Sequence, residues 1–250
     1  MMIKKVVWNL FILIALVRAG DINVAVAANV SYAIKELKSS FIKAYPGIDV
    51  HITLGSSGKL TAQIRHGAPY GIFMSADMDY PQRLYLYNLA STKPKVYAEG
   101  TLSLFSIKSL DFSKGIAFVE DADIQRIAIA NPKTAPYGKA TLEVLKNYGL
   151  LSQVKKKLIY AESISQAVTY TMTAVDLGFI ATASLFSPKM RQYKEYKHWM
   201  RVNPSLYRRI KQGIVLLKKG ENSAEYQAFY DFMLSDVAKR ILARYGYVVS

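Results

Sequence analysis

The segment INVAVAANVSYAIKEL (Ile22–Leu37) joins a strand pattern directly to a helix pattern. Its first part, Ile22–Ala27, is an apolar, β-rich run, which is typical of a strand buried on both faces. Ala33, Ile34 and Leu37 then follow at helical spacing. A strand that leads straight into a helix is the unit from which parallel α/β sheets are built.

The same order of a strand followed by a helix recurs along the chain. Apolar or alternating runs predict strands at Ile22–Ala27, Val50–Leu54, Gly71–Ala76, Leu102–Ile107, Ile127–Ala130, Lys157–Tyr160, Gly178–Ala181 and Ile214–Leu217. Helical spacing occupies most of the stretches between them. The pattern therefore predicts an α/β fold whose sheets are mixed and mainly parallel, with helices on their faces.

The predicted strands fall into two groups, and the last strand returns late in the chain. This order predicts two lobes, the second inserted into the first. The first lobe is expected to comprise residues 21–101 and 206–250, and the second to comprise residues 102–205. Ligands of such sheets bind outside the carboxyl ends of the strands, often between lobes.

Residues 1–20, MMIKKVVWNLFILIALVRAG, have the layout of a secretory signal peptide. Two lysines precede a mostly apolar run, Val6–Val17, which is shorter than the roughly 20 residues that a membrane span needs. Cleavage is expected after Ala19, with Gly20 as the alternative site, and retention as an uncleaved anchor stays open. An exported protein is expected.

The composition of the 250 residues excludes several classes of protein. With 51% hydrophobic and 20% charged residues, the chain is neither disordered nor of low complexity. The absence of cysteine excludes a disulfide framework, a zinc knuckle and a cysteine nucleophile. The net charge of +15 becomes +12 without the signal peptide, which indicates an anionic partner. Because the basic residues are scattered and no nucleic-acid-binding motif is present, nucleic acid is not expected.

The junctions between strands and helices carry the candidate chemistry. They are Ala27–Ser31, Leu54–Gly58, Asn131–Gly138 and Ser163–Gln166. Each offers free backbone N–H groups and the positive end of a helix dipole. One such junction is usually only a helix cap, but several that face one cleft form an anion site without a charged side chain. Asn29, Ser57 and Tyr137 would add side-chain donors.

Signals of catalysis are weak, and no catalytic residue is assigned. No G-x-S-x-G or H-E-x-x-H motif occurs, and the GSSGK stretch lacks the spacing of a phosphate-binding P-loop. Asp77 and Asp79 form a D-x-D pair with no third ligand, which favours a loop or a helix start. His51 and His66 are interpreted as structural, and none of the histidines is paired at metal-ligand spacing.

Read in order, these junctions resemble the periplasmic molybdate-binding proteins of bacterial ABC importers, the ModA family. The resemblance covers essentially the whole chain after the signal peptide, and its most specific parts are GAP-x-x-x-F-x-SAD and the closing RYG. It is carried by AANVSYAIKEL (Ala27–Leu37), LGSSGKLTAQIRHGAPYGIFMSAD (Leu54–Asp77), ANPKTAPYGKA (Ala130–Ala140), AESISQAV (Ala161–Val168), LGFIATASL (Leu177–Leu185) and AFYDFMLSDVAKRILARYGY (Ala228–Tyr247).

The resemblance implies a two-lobed type II periplasmic binding protein that holds molybdate or tungstate between its lobes. It implies neutral hydrogen-bond donors at the ligand, with no cofactor and no metal other than molybdenum or tungsten within the oxyanion. The positions that match the family's binding residues are Asn29, Ser57, Tyr137 and Ile164, the last two through backbone N–H groups. Secondary candidates are Ala28, Ser56 and Ala181.

Two departures from the family pattern concern the donors. Asn29 stands where many relatives have serine, and its amide N–H₂ is expected to donate instead. Ala181 stands where some relatives have a ligand-binding tyrosine. The hydroxyl of Tyr137, on the facing turn, is a candidate to replace that lost donor.

The function expected from residues and resemblance together is that of a periplasmic receptor, not an enzyme. It would capture molybdate or tungstate and deliver it, as a monomer, to the membrane permease of an ABC transporter. Sequence does not separate the two anions. The alternatives left open are a receptor for another tetrahedral oxyanion such as sulfate, and a secreted enzyme that acts on an anionic substrate.

Overall fold

The computed structural model describes residues 20–249. The predicted signal peptide therefore lies outside the described residues, apart from Gly20, which begins the first strand. Within the described part, none of the helices is both long and apolar enough to cross a bilayer.

Strands and helices alternate along most of the chain. The strands are β1 (Gly20–Ala27), β2 (Ile48–Gly55), β3 (Ile72–Met74), β4 (Lys95–Gly100), β5 (Leu102–Phe105), β6 (Ile127–Ala130), β7 (Leu158–Ala161), β8 (Leu177–Ala181), β9 (Trp199–Arg201) and β10 (Ile210–Leu216). The α-helices are α1 (Ile34–Ala44), α2 (Ser57–Arg65), α3 (Asp79–Leu86), α4 (Pro136–Asn147), α5 (Leu151–Val154), α6 (Ile164–Thr173), α7 (Ala224–Leu234) and α8 (Asp236–Arg244). Short 3₁₀ segments lie at Ala28–Tyr32, Phe112–Glu120, Lys155–Lys157, Thr182–Phe186, Pro188–Met190, Pro204–Leu206 and Lys218–Gly220.

The strands form two five-stranded sheets, with orders β2-β1-β3-β10-β4 and β7-β6-β8-β5-β9. The chain leaves the first sheet at Gly100 and enters the second at Leu102. It returns to the first sheet with β10 at Ile210. The two-lobed α/β architecture with mixed sheets is confirmed. The exact lobe boundaries stay a prediction.

Parallel and antiparallel pairings are equally frequent in each sheet. In the first sheet β1 pairs parallel with β2 and β3, whereas β10 pairs antiparallel with β3 and β4. In the second, β6 pairs parallel with β7 and β8, whereas β5 pairs antiparallel with β8 and β9. The antiparallel strands are those that connect the lobes, because the chain crosses between sheets there without a crossover helix.

Helices cover both faces of the first sheet, as the continuous apolar character of β1 predicts. Because successive side chains of a strand point to opposite faces, Val24 and Val26 pack with α1, α7 and α8, whereas Ala25 packs with α2 and α3. The second sheet is built in the same way, and Ile127 and Ile129 of β6 lie in a core shared with α4 and α6. These sheets hold the carboxyl ends of β1, β2, β6 and β7 in fixed positions.

Two edge strands were not predicted from the sequence. β4 (KVYAEG) and β9 (WMR) lie at sheet edges, where one face is solvated and the apolar pattern is weak.

The D-x-D pair precedes and starts α3: Asp77 accepts a hydrogen bond from the Tyr80 amide, and Asp79 is the first helical residue. The expectation of a helix start at this pair is confirmed.

Replacement of Phe41 by alanine should destabilise the first lobe. Phe41 is fully buried, and its ring lies 4.9 Å from that of Phe229 and 5.5 Å from that of Phe232. Loss of a buried aromatic ring costs about 3–5 kcal/mol. Urea unfolding of Phe41→Ala should show a loss of that size, and Leu86→Ala, at a side chain that is 70% exposed, should change stability by no more than about 0.5 kcal/mol. Similar losses in both variants would contradict this packing.

Candidate functional site

A small cavity lies where the strand ends of the two lobes meet. It is lined by Ala27, Ala28, Asn29, Gly55, Ser56, Ser57, Ala76, Ala135, Pro136, Tyr137 and Ile164. The structure thus brings together all four predicted binding residues, together with the secondary candidates Ala28 and Ser56. Ala181, at the end of β8, is not among the lining residues.

The cavity is small. Its volume is about 10 Å³, which is close to the minimum space for one water molecule. Hydrogen bonds between the lobes hold its walls together: the amide of Gly58 donates to the carbonyl of Thr134 at 2.9 Å, and the Tyr80 hydroxyl donates to the carbonyl of Lys133 at 3.3 Å. A ligand of several heavy atoms can therefore enter or leave only if the lobes move apart.

Three helix starts supply backbone donors to this cavity. α2 begins at Ser57, α4 at Pro136 and α6 at Ile164. The first amides of a helix have no partner within it, and they lie at the positive end of its dipole. Since proline has no N–H, Tyr137 provides the first free amide of α4. The amides of Ser57, Tyr137 and Ile164 therefore form a backbone donor set that comes from both lobes.

Glycine is required at two positions beside these helix starts. A Cβ atom on Gly138 would lie 2.1 Å from the carbonyl oxygen of Ala130. A Cβ atom on Gly58 would lie 2.7 Å from the Tyr80 hydroxyl oxygen and 3.0 Å from Cα of Thr134. Gly58 thus allows α2 to approach the facing lobe closely, and Gly138 allows α4 to pack against the end of β6 in its own lobe.

The two adjacent serines place buried hydroxyl groups at the cavity. Oγ of Ser57, which is 1% exposed, accepts a hydrogen bond from the Ala76 amide at 3.0 Å. Its own proton has no acceptor among residues 20–249. Oγ of Ser56 is buried and has no partner in this part of the chain. Because a buried donor without an acceptor is costly, both hydroxyls fit a ligand that accepts hydrogen bonds.

Tyr137 adds a third buried hydroxyl group. Its side chain is 1% exposed, and its oxygen accepts a hydrogen bond from Nε2 of Gln212 at 3.3 Å. The described residues offer no acceptor for its proton. Burial raises the pKa of Tyr137 well above its ordinary value, so the group stays protonated and able to donate. That this hydroxyl replaces the donor lost at Ala181 stays a prediction.

Asn29 is placed differently from the expectation. Its Nδ2 donates to Oε1 of Gln212 at 2.9 Å and to the Tyr247 hydroxyl at 3.2 Å, so both amide protons are engaged inside the protein. Its Oδ1 is buried without a partner in the described residues. The expected donation of the side-chain amide to a ligand is therefore not seen, because partners from the last strand and from the closing RYGY stretch take up its protons. The donor that Asn29 leaves for a ligand is its backbone N–H.

The cavity contains no formal charge, since its lining has no Asp, Glu, Lys, Arg or His. The Lys59 and Glu162 side chains form an ion pair across the lobes at 2.7 Å, but both are about half exposed, and such pairs stabilise little. N–H and hydroxyl donors suit an anion, whereas metal ions are mostly held by carboxylate, carbonyl, imidazole or thiolate ligands. The lining therefore fits an anion better than a cation.

A group of potential metal ligands lies elsewhere, on the exposed surface of β1 and β2. Asp21, Asp49 and His51 place one ligand atom each within 4.8 Å of one another. Spacing along the sequence does not reveal this group, because Asp21 comes from the neighbouring strand, in register with Asp49. All three side chains are exposed, and Asp49 also pairs with Lys38.

Three further residues behind the cavity were not predicted from the sequence. They are Gln212 of β10, Tyr97 of β4 and Tyr247 near the chain end, all of them buried. The hydroxyl of Tyr97 donates to Oε1 of Gln212 at 2.7 Å, and that of Tyr247 donates to the Asn29 carbonyl at 2.8 Å. The one signal that could have pointed to them is a glutamine within the apolar strand IKQGIVL, because a buried amide needs partners.

Comparison with known proteins identifies relatives over nearly the whole described chain. The family model described as bacterial extracellular solute-binding protein matches residues 22–248. The chain is 35% identical to the molybdate-binding protein ModA of Rhodobacter capsulatus and 34% identical to that of Azotobacter vinelandii; each alignment covers 92% of this chain, and 89% and 90% of the relative. The solved structure of the Azotobacter vinelandii periplasmic molybdate-binding protein superposes with a TM-score of 0.84 at 32% identity, covering 92% of this chain and 99% of that one.

Stability should fall at alkaline pH because of the tyrosines around the cavity. Burial raises the pKa of Tyr97, Tyr137 and Tyr247, and it raises that of Tyr32 to about 12. In the unfolded chain these groups ionise near pH ~10. The free energy of unfolding should therefore be unaffected by them below that pH and should decline above it, by about 1.4 kcal/mol per pH unit for each tyrosine.

Urea unfolding at a series of pH values checks this decline. In Tyr137→Phe the free energy of unfolding should fall less steeply with pH above ~10. The difference should be about 1.4 kcal/mol per pH unit, which is the contribution of one buried tyrosine. Tyr196→Phe, at a side chain that is 76% exposed, is the matched control and should leave the slope unchanged. Equal slopes in all three proteins would show that the Tyr137 hydroxyl is not held protonated by the fold.

Proposed function

The chain belongs to the bacterial extracellular solute-binding protein family, and from that premise we propose that it captures molybdate or tungstate between its two lobes and delivers it to the membrane permease of an ABC transporter. The relatives named as molybdate-binding proteins support molybdate over other solutes. The protein is then a receptor, and the alternative of a secreted enzyme is not favoured.

The observation that carries the proposal is the excess of hydrogen-bond donors at a cavity without charge. Backbone amides at three helix starts and the hydroxyls of Ser56, Ser57 and Tyr137 lack acceptors there. A buried dianion is tolerated only if its oxygens are hydrogen-bonded. Molybdate and tungstate, which are fully deprotonated at neutral pH, can accept at every oxygen, and helix N-termini are suited to hold them.

The donor set also explains the expected selectivity. Phosphate keeps a proton at neutral pH, and that proton would meet another donor where an acceptor is needed. Sulfate has the charge of molybdate but is smaller, so discrimination against it depends on how closely the lobes approach. Gly58 sets that approach through its close contact with Thr134 of the opposite lobe. Sulfate remains the runner-up within this class of ligand.

A neutral site suits a protein that must release its ligand. No lysine or arginine contacts the cavity, so hydrogen bonds from both lobes provide the affinity, and separation of the lobes removes about half of them. The net charge of +12 after removal of the signal peptide acts at longer range and raises the local concentration of anions. Capture and release thus depend on one movement.

Ser57 cannot serve as a nucleophile in this arrangement. Its hydroxyl oxygen is bonded to a backbone amide, and no histidine, lysine or carboxylate that could act as a base lines the cavity. Nucleophilic catalysis by serine needs such a base within hydrogen-bond reach. The same serine is well placed to donate to an oxyanion.

Replacement of Ser57 by alanine should weaken molybdate binding about ten- to a hundredfold, since a hydrogen bond to a charged group contributes about 1.5–3 kcal/mol. Isothermal titration with molybdate and tungstate checks this. Ser39→Ala, on the exposed side of α1, is the control and should bind as the unaltered protein does. Failure of the unaltered protein to bind either anion, or tighter binding of sulfate, would contradict the proposal.

The exported chain should begin at Gly20 or Asp21. Cleavage after Ala19 leaves Gly20 as the first residue, and cleavage after Gly20 leaves Asp21; in both cases β1 is retained in full or lacks one residue. Intact mass measurement of the protein from its native periplasm distinguishes these products. Recovery of the full-length chain from the membrane fraction would show that the segment is kept as an anchor.

A further inference from the structure

Gln212 links the two lobes behind the cavity. It lies on β10 in the first sheet, and its side chain is fully buried. Its Oε1 accepts from Nδ2 of Asn29 at 2.9 Å and from the Tyr97 hydroxyl at 2.7 Å. Its Nε2 donates to the hydroxyl of Tyr137, which belongs to α4 in the second lobe, at 3.3 Å.

The backbone carbonyl of Asn29 lies at one end of this set of hydrogen bonds, and it determines which atom donates in each of them. The backbone carbonyl of Asn29 can only accept, so the Tyr247 hydroxyl donates its proton to it at 2.8 Å. The oxygen of Tyr247 must then accept from the Asn29 side chain, and the atom that faces it is the donor Nδ2. The second proton of the same nitrogen goes to Gln212.

These hydrogen-bond directions also fix the role of the Tyr137 hydroxyl. Because Oε1 of Gln212 faces the donor Asn29, the Nε2 of Gln212 faces Tyr137 and can only donate. The Tyr137 oxygen is therefore an acceptor toward Gln212, and its proton must point to another partner. Among the described residues there is none, and Tyr137 lines the cavity.

We propose that Gln212 is a positioning residue that holds the hydroxyl of Tyr137 as a hydrogen-bond donor toward the bound oxyanion, at the end of a relay Asn29 carbonyl–Tyr247–Asn29 amide–Gln212–Tyr137. The proposal rests on the proposed function, since it assigns the acceptor of the last proton to the oxyanion. The ability of the Tyr137 hydroxyl to donate to the ligand then depends on the whole relay and not on Tyr137 alone.

The relay is complete only when the lobes are close together. Its last hydrogen bond joins β10 of the first lobe to α4 of the second. Gly100, where the chain leaves the first lobe, makes room for it: a Cβ atom there would lie 2.0 Å from the Tyr137 oxygen and 2.6 Å from Nε2 of Gln212. The Tyr137 hydroxyl is thus held as a donor, and selects an oxyanion without a proton, only once the lobes have closed.

A double-mutant cycle with molybdate tests the relay. Gln212→Met keeps the volume but removes both hydrogen-bonding ends, so Tyr137 can turn its proton away from the ligand. Gln212→Met and Tyr137→Phe should each weaken molybdate binding about tenfold. The double variant should bind no more weakly than Tyr137→Phe alone, because Gln212 acts through that hydroxyl. Additive losses would overturn the proposal.

The ratio of the sulfate affinity to the phosphate affinity is a second measurement. A purely structural role of Gln212 would not change this ratio. In mildly alkaline buffer both anions are dianions of similar size, but only phosphate carries a proton. The ratio of their affinities should narrow about tenfold in Gln212→Met, because a free Tyr137 hydroxyl can accept that proton. Equal weakening of both anions would show that Gln212 merely supports the fold.

Two further variants keep the test decisive. Tyr247→Phe removes the anchored start of the relay and should reproduce the narrowed ratio even if Gln212→Met does not fold. Tyr97→Phe removes the other donor to Oε1 of Gln212 without changing the direction of the relay, so it should lower stability and leave the ratio as it is. If the unaltered protein binds no molybdate, the proposed function fails; if it binds molybdate and the ratio does not respond, only the relay fails.

Discussion

Hydrogen-bond donors without acceptors, gathered at one uncharged cavity, are the constraint on which the rest of the structure depends. Helix starts α2, α4 and α6 must meet there, and this requires sheets that end at one edge with helices leaving each strand. The two lobes supply complementary parts of the donor set. A ligand that offers only acceptors therefore satisfies both lobes at once, and closure around it excludes water.

The separation of charge from the binding cavity gives the protein two independent properties. Basic residues distributed over the surface attract anions in general. The cavity itself distinguishes among them by the number and direction of its hydrogen bonds. A lysine at the ligand would strengthen binding of every anion alike, whereas the uncharged hydroxyls of Ser56, Ser57 and Tyr137 are proposed to select oxygens that carry no proton.

Much of the fold and part of the site could be predicted from the sequence, because both depend on local patterns. The apolar run of β1 and the helical spacing after it indicated an α/β fold, and the residues at the junctions, Asn29, Ser57, Tyr137 and Ile164, do line one cavity. The edge strands β4 and β9 were not predicted, because half-solvated strands contain too few apolar residues to form a clear pattern. The relay could not be predicted because it joins residues about 75 to 218 positions apart in the sequence. Only tertiary structure brings Gln212 and Tyr247 to Asn29. For the same reason the engagement of the Asn29 amide within the protein was not predicted.

A cavity that offers donors only should bind its oxyanion without exchange of protons. Titration of the protein with molybdate at neutral pH, in buffers that differ widely in their heat of ionisation, measures the number of protons taken up or released on binding. Because Tyr137 remains protonated and no other titratable group lines the cavity, we expect the same binding enthalpy in every buffer. An enthalpy that varies with the buffer would mean that a group in the protein or the ligand changes its protonation on binding, and it would contradict a site made of neutral donors.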